Sequence, residues 1–280
     1  MQLVAVIIPL LLGLGLEEIF LGLIWMSAVK FIWLLVLIWR HTTFSIDYQM
    51  LMPFYALALP LVLKAFLNRG YESIDGLIVN SYFQDESAFA IFRYGAREMP
   101  YVTLFIGAIV TAMLPQMASN LEGGMQSLKE QTLKLSKWMF PLSAAFMLAS
   151  PWIFAKVFSP EFRDSAYVFN VYLLMLSSRV LLPQAVVMAK EKSYFLLLSA
   201  AIEIIVNVSL SLLFVRIFGL LGIAFASVIA FYVNKINQMI YLKTKHDISP
   251  SQYVAVRPHF AFSVLLYGSF VLSLFLHGQV

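Results

Sequence analysis

Cysteine is absent from the whole chain of 280 residues. No disulfide, thiolate metal site or haem attachment is therefore available, and the redox compartment is left open. Charge is scarce as well: 12% of residues are charged and 61% hydrophobic, with a mean hydropathy of +0.84. A soluble domain carries roughly 25% charged and about 45–50% apolar residues. A chain this apolar is an integral membrane protein. The formal charge of +4 fits basic cytoplasmic loops better than a nucleic-acid partner. The first apolar run has no basic residues before it and no small-residue cleavage site after it, so it reads as a span and not as a signal peptide.

Catalytic patterns are missing too. His41, His246, His259 and His277 are scattered, with no HExxH spacing, and neither a glycine-rich phosphate loop nor a GxSxG elbow occurs. No enzyme, no catalytic residue, no metal and no resident cofactor are expected. FGLLGIAFAS (218–227) spaces small residues for helix packing.

What is present is a series of apolar runs, each compared with the 20 or so residues that a membrane helix needs. Nine spans are expected: 2–16, 19–39, 52–83, 87–114, 138–158, 165–189, 193–215, 217–242 and 260–276. Between them, SLKEQTLKLSKW reads as an amphipathic helix on the membrane surface. Of the Lys and Arg in the connectors, nine fall on one side (Arg40; Lys129, Lys134 and Lys137; Lys190 and Lys192; Lys243, Lys245 and Arg257) and three on the other (Lys156, Arg163 and Arg216). The positive-inside rule puts the nine-residue side, and the N-terminus, in the cytoplasm.

KAFLNRGYESID (64–75) is the most informative stretch. On a helix, Lys64, Asn68, Tyr71, Glu72 and Asp75 share an arc of about 100°, with Phe66, Leu67, Gly70 and Ile74 opposite. A loop has no reason to sort this way, whereas a helix lining a wet cavity does. The plainer alternative is that Lys64, Arg69, Glu72 and Asp75 neutralise one another or sit near headgroups. In the next span, Arg93, Arg97 and Tyr101 share a face, with Glu98 beside them; the arginines face a cavity or snorkel to the interface. Arg179 has apolar flanks on both sides, and Glu203 and Asn207 are i,i+4 neighbours. Within the expected spans, Lys30, Lys64, Arg69, Arg93, Arg97, Arg179 and Lys235 outnumber Glu72, Asp75, Glu98 and Glu203. Charge at membrane depth is costly and usually marks a pathway. A surplus of positive charge there calls for an anionic substrate, such as one bearing phosphate. The candidate pathway residues are thus Lys64, Asn68, Glu72, Asp75, Arg93, Arg97, Glu98, Arg179, Glu203 and Asn207.

IDGLIVNSYFQDESAFAIFRYGAREMP followed by TAMLPQMAS resembles the opening of the second half of polysaccharide flippases. These are the Wzx-like members of the multidrug/oligosaccharidyl-lipid/polysaccharide exporter (MOP) superfamily. FSPEFRDSAYVFNVYLL resembles that family's connector, and IVNVSLSLLFVRIFGLLGIAFASVIA its paired helices. The matching positions are Asp75, Pro115, Asn207, Gly219 and Gly222. The resemblance implies an all-α, polytopic helix bundle of the MATE-like kind. Residues 1–50 would end an N-terminal lobe, 51–245 would form a six-helix C-terminal lobe, and 246–280 would add a helix. Such transporters have more helices than nine, so the chain is expected to lack the first ones.

The resemblance also implies a function: flipping polyprenyl-pyrophosphate-linked oligosaccharide or polysaccharide precursors, as in O-antigen export, across the inner membrane by alternating access. The implied partners are an anionic lipid-linked glycan, the bilayer and other glycan-assembly membrane proteins, with H+ or Na+ as a coupling cation and no nucleic acid. The alternatives are a cation-coupled multidrug exporter, which calls for an acidic cavity, and a membrane glycan polymerase or ligase, which calls for a large outer loop. A purely structural subunit sits badly with so many charges inside spans.

Overall fold

A computed structural model describes residues 13, 15–41, 48–97 and 99–276, apart from the side chains of residues 16, 48–50, 57, 68–72 and 100. The expected first span, 2–16, lies almost wholly outside the described residues. No strand occurs among those described. The helices are α1 (Leu16–His41), α2 (Tyr48–Phe83), α3 (Glu86–Gly95), α4 (Pro100–Ser119) and α5 (Leu121–Val157). After a 3-10 turn (Pro160–Asp164) come α6 (Ser165–Leu174), α7 (Leu176–Arg179), α8 (Pro183–Ala189), α9 (Ser193–His246), α10 (Pro250–Tyr253) and α11 (Val256–Leu276). Helices α1, α4, α5, α9 and α11 are long and apolar enough to cross a membrane, and the bent run α6–α8 is a sixth candidate. The protein is a multi-pass membrane protein.

The chain divides into two compact units, Met1–Pro53 and Phe54–Val280. In the first, α1 is apolar and largely exposed, with Trp25, Trp33 and Trp39 outermost. In the second, every residue of α6 is buried, and α3, α5, α9 and α11 pack around it. Lipid tails are as apolar as leucine, so such packing draws on close contact and polar bonds between helices more than on the hydrophobic effect. Gly95 lets α3 lie directly on α6: a Cβ there would meet the Ser165 carbonyl oxygen at 2.4 Å.

Three expectations need correction. Residues 64–75 do continue as helix within α2, but the expected span 87–114 is two helices. Pro100 has no N–H to give to a preceding turn, so it opens α4 instead of kinking one long helix. The stretch SLKEQTLKLSKW is not a separate surface helix. It lies in the first half of α5, which is capped by the Asn120 side chain on the Gly123 N–H (3.0 Å), and its Leu128, Thr132, Leu135 and Ser136 are buried. The span 165–189 is broken after Leu174 and again after Arg179, with a bend of 43° before α8. Arg179 therefore ends a short helix instead of sitting inside a long one. The pair 193–215 and 217–242 meets at Gly219, whose φ of 59° and ψ of −137° suit glycine alone.

Candidate functional site

The breaks in α3–α4 and α6–α8, together with α2 and both halves of α9, line one cavity of about 810 Å³ in the second unit. Helix α2 contributes Lys64, Asp75 and Gly76. Helix α3 and the turn after it bring Phe89, Phe92, Arg93, Tyr94 and Arg97. From α6 to α8 come Tyr172, Arg179 and Gln184, and from α9 come Glu203, Phe231, Asn234, Lys235 and Gln238.

Two polar knots build its wall. Asp75 is 3% exposed and accepts from the Tyr172 hydroxyl at 2.7 Å and from Ser227 Oγ. Asn207 Nδ2 donates to the same Ser227 Oγ at 2.9 Å. One carboxylate thus joins α2, α6 and both halves of α9. The second knot centres on Glu203, which accepts from Asn234 Nδ2 and lies within electrostatic reach of Lys235, Arg179 and Lys64. Gln238 Nε2 donates to Asn234 Oδ1 at 2.6 Å, and Lys235 Nζ to Gln184 Oε1 at 2.6 Å. The Arg179 guanidinium lies 3.9 Å from the Phe231 ring centroid, a cation–π contact that holds its plane against the wall. Buried polar side chains at this depth are costly without partners, and each side chain of these two knots makes at least one such contact.

Of the sequence-derived candidates, Lys64, Asp75, Arg93, Arg97, Arg179 and Glu203 all line this cavity. Asn207 sits behind it, bonded to Ser227. The side chains of Asn68 and Glu72, and Glu98 altogether, lie outside the described residues. Tyr101, expected beside Arg93 and Arg97, is carried away by the helix break; its hydroxyl pairs with Ser143 Oγ at 3.0 Å and its ring packs on Trp138. Lys30 is exposed on α1. Sequence reasoning missed Tyr172, Gln184, Ser227, Phe231, Asn234 and Gln238, and counted Lys235 only towards the charge balance. Part of the signal was available. Ser199, Glu203, Asn207 and Ser211 recur every four residues on one face, and Ser227, Phe231, Asn234, Lys235 and Gln238 recur at helical spacing beyond Gly219.

Among the described lining residues, five cationic side chains face two acidic ones. The described lining thus carries a surplus of positive charge, and no metal-binding group of three or more His, Cys, Asp or Glu occurs among the described residues.

A solved structure shares this architecture: a MOP superfamily transporter from Pyrococcus furiosus whose binding pocket has reverse polarity. The two superpose with a TM-score of 0.53 at 16% identity, over 79% of this chain and 52% of that one. The chain has the fold of a MOP superfamily transporter. It spans about half the length of that neighbour. No family model and no curated protein matches the chain.

Proposed function

We propose that this chain belongs to a membrane transporter that moves an anionic, lipid-linked glycan precursor across the cytoplasmic membrane. The observation that carries the reading is the cavity's excess of cations, with Lys64, Arg179 and Lys235 gathered round the single carboxylate of Glu203. Guanidinium and ammonium groups at membrane depth are costly without a counter-charge, and the diphosphate of a polyprenyl-linked sugar brings one. The lipid tail would stay in the bilayer while the polar head occupies the cavity, with alternating access moving it across. An exporter of cationic drugs needs the opposite polarity. Residues 51–245 act, in this reading, as the lobe that carries the cavity.

The distribution of basic residues supports an orientation. His246 lies within electrostatic reach of Lys190 and Lys192, and Lys129 Nζ donates to the Ser251 carbonyl at 2.7 Å. These basic groups gather near the start of α5, whereas Lys156 lies at its far end. We place the lysine-rich end in the cytoplasm.

Binding of polyprenyl diphosphate to the protein in lipid nanodiscs tests the reading. Uncharged polyprenol and tetraphenylphosphonium serve as comparison ligands. The diphosphate should bind best, and Arg179→Gln with Lys235→Gln should weaken it by about tenfold or more, given that charge-assisted bonds contribute about 1.5–3 kcal/mol each. Preference for the cation, or indifference to both substitutions, would overturn the proposal. In proteoliposomes the same pair of substitutions should slow flipping of a fluorescent polyprenyl-diphosphate sugar.

A further inference from the structure

The cavity's apolar lining has an unusual make-up. In a chain 61% hydrophobic, no leucine, isoleucine or valine occurs among the described lining residues, yet eight of the twenty-three are aromatic. Two of these are already engaged: the Tyr172 hydroxyl bonds Asp75, and Phe231 carries Arg179. The rest form a layered wall. Phe89, Tyr94 and Phe158 are 36%, 38% and 48% exposed, and Phe92, Phe154 and Phe169 behind them are at most 7% exposed. The Tyr94 and Phe158 rings are 5.0 Å apart, and Phe158 and Phe154 are 5.5 Å apart, so Tyr94 and Phe158 are braced by neighbouring rings. Arg93 and Arg97 stand in the same stretch of chain as Tyr94 and are exposed beside it.

An isoprenoid tail has no use for such a surface. Tails are flexible, and branched aliphatic side chains pack them as well as rings do. Flat rings interleaved with forked hydrogen-bond donors match a different shape: a pyranose, with one face of C–H groups and a rim of hydroxyls. Its C–H face lies on an aromatic face, and its hydroxyls reach guanidinium N–H groups.

We infer that Phe89, Tyr94 and Phe158, flanked by Arg93 and Arg97, form a sugar-ring subsite, separate from the diphosphate subsite at Lys64, Arg179 and Lys235. The inference rests on the glycan reading above. It divides the cavity by chemistry, with stacking at the α3–α5 wall and charge where α2, α7 and α9 line it.

The experiment measures binding, in nanodiscs, of polyprenyl diphosphate and of polyprenyl diphosphate bearing one N-acetylhexosamine. Phe89→Leu, Tyr94→Leu and Phe158→Leu remove rings and keep apolar volume; Tyr94→Phe keeps the ring. Each leucine variant should weaken the sugar-bearing ligand about fivefold, in line with the strength of ring contacts, and leave the bare diphosphate unchanged. Tyr94→Phe should bind both ligands like the parent protein. Equal weakening of both ligands would assign the rings to the tail or to folding and overturn the inference, as would no weakening of either. Failure of the parent protein to bind either ligand, or indifference to the Arg179 and Lys235 substitutions, would instead sink the transport reading. Matching thermal unfolding and elution profiles across the variants guard against misfolding.

Discussion

Asn170 Nδ2 donates at 3.0 Å to the Met147 carbonyl, the acceptor that Pro151 leaves without its helical partner. In an unbroken helix, residue 151 would supply that hydrogen bond from its N–H, and proline has none. The single hydroxyl proton of Ser150 is shared between the same carbonyl at 3.0 Å and Asn170 Oδ1 at 2.8 Å, while Asn170 Nδ2 also reaches Ser273 Oγ. A defect in α5 is thus satisfied by α6, and α11 is tied in alongside.

The repair is testable by a double-mutant cycle. Asn170→Leu should lower stability by about 1–3 kcal/mol, since it strands buried polar groups. Pro151→Ala restores the backbone donor, so the double variant should lose less than the sum of the two single variants. Thermal unfolding in detergent measures it, and strict additivity would disprove the coupling.

Close helix approach at Gly95 predicts a second outcome. In Gly95→Ala the new methyl meets the Ser165 carbonyl oxygen at 2.4 Å and Val168 Cβ at 2.7 Å, neither of which can rotate away. The cost should be about 1–3 kcal/mol. Gly107→Ala has nothing within 4 Å and should be neutral or stabilise by up to about 1 kcal/mol. Equal unfolding temperatures for the two variants would refute the packing argument.

For Asp75, oxygen geometry and charge can be separated. Both of its described bonds end on one oxygen, Oδ2. Asp75→Asn keeps an acceptor at that place and should fold normally. Asp75→Ala strands the Tyr172 and Ser227 hydroxyls in a buried site and should cost about 1–3 kcal/mol. If Asp75→Asn unfolds as readily as Asp75→Ala, then charge and not hydrogen bonding holds the knot.

The absence of native cysteine makes thiol labelling clean. Single cysteines at Lys64, Arg93 and Arg97 should react with a membrane-impermeant methanethiosulfonate applied from the side to which the cavity is open. Polyprenyl diphosphate should protect position 64. Cysteine at Phe66, 72% exposed on the opposite face of α2, should stay unreactive in lipid. Uniform labelling would show that this stretch does not line a cavity.

How much of this was legible beforehand varies by kind of feature. Helical periodicity located Lys64 and Asp75 on one face across eleven residues, because α2 runs unbroken between them. The same method misplaced Tyr101, because angular bookkeeping fails across the break at which Pro100 opens a new helix. Arg179 was singled out by its apolar flanks, a purely local signal. Its partner Phe231 is one of many phenylalanines, and nothing local distinguishes it. Tyr172 and Ser227 act only through Asp75, and such partnerships exist solely in three dimensions. The neighbouring fold supports the helix bundle and says nothing of individual roles.

Gly219 carries one more implication. Ser199 Oγ donates to the Asn234 carbonyl at 3.3 Å, and Asn207 bonds Ser227, so pairs on the two halves of α9 close like the teeth of a zip folded at one point. The fold point sets the tooth alignment. Inserting or deleting one residue between 216 and 221 would rotate every later residue by about 100°. Ser227 would then turn away from Asp75, and Lys235 away from Gln184. The segment is intolerant of length as well as of substitution at Gly219, so frame-preserving insertions should be lost here while they persist in the connector before α3.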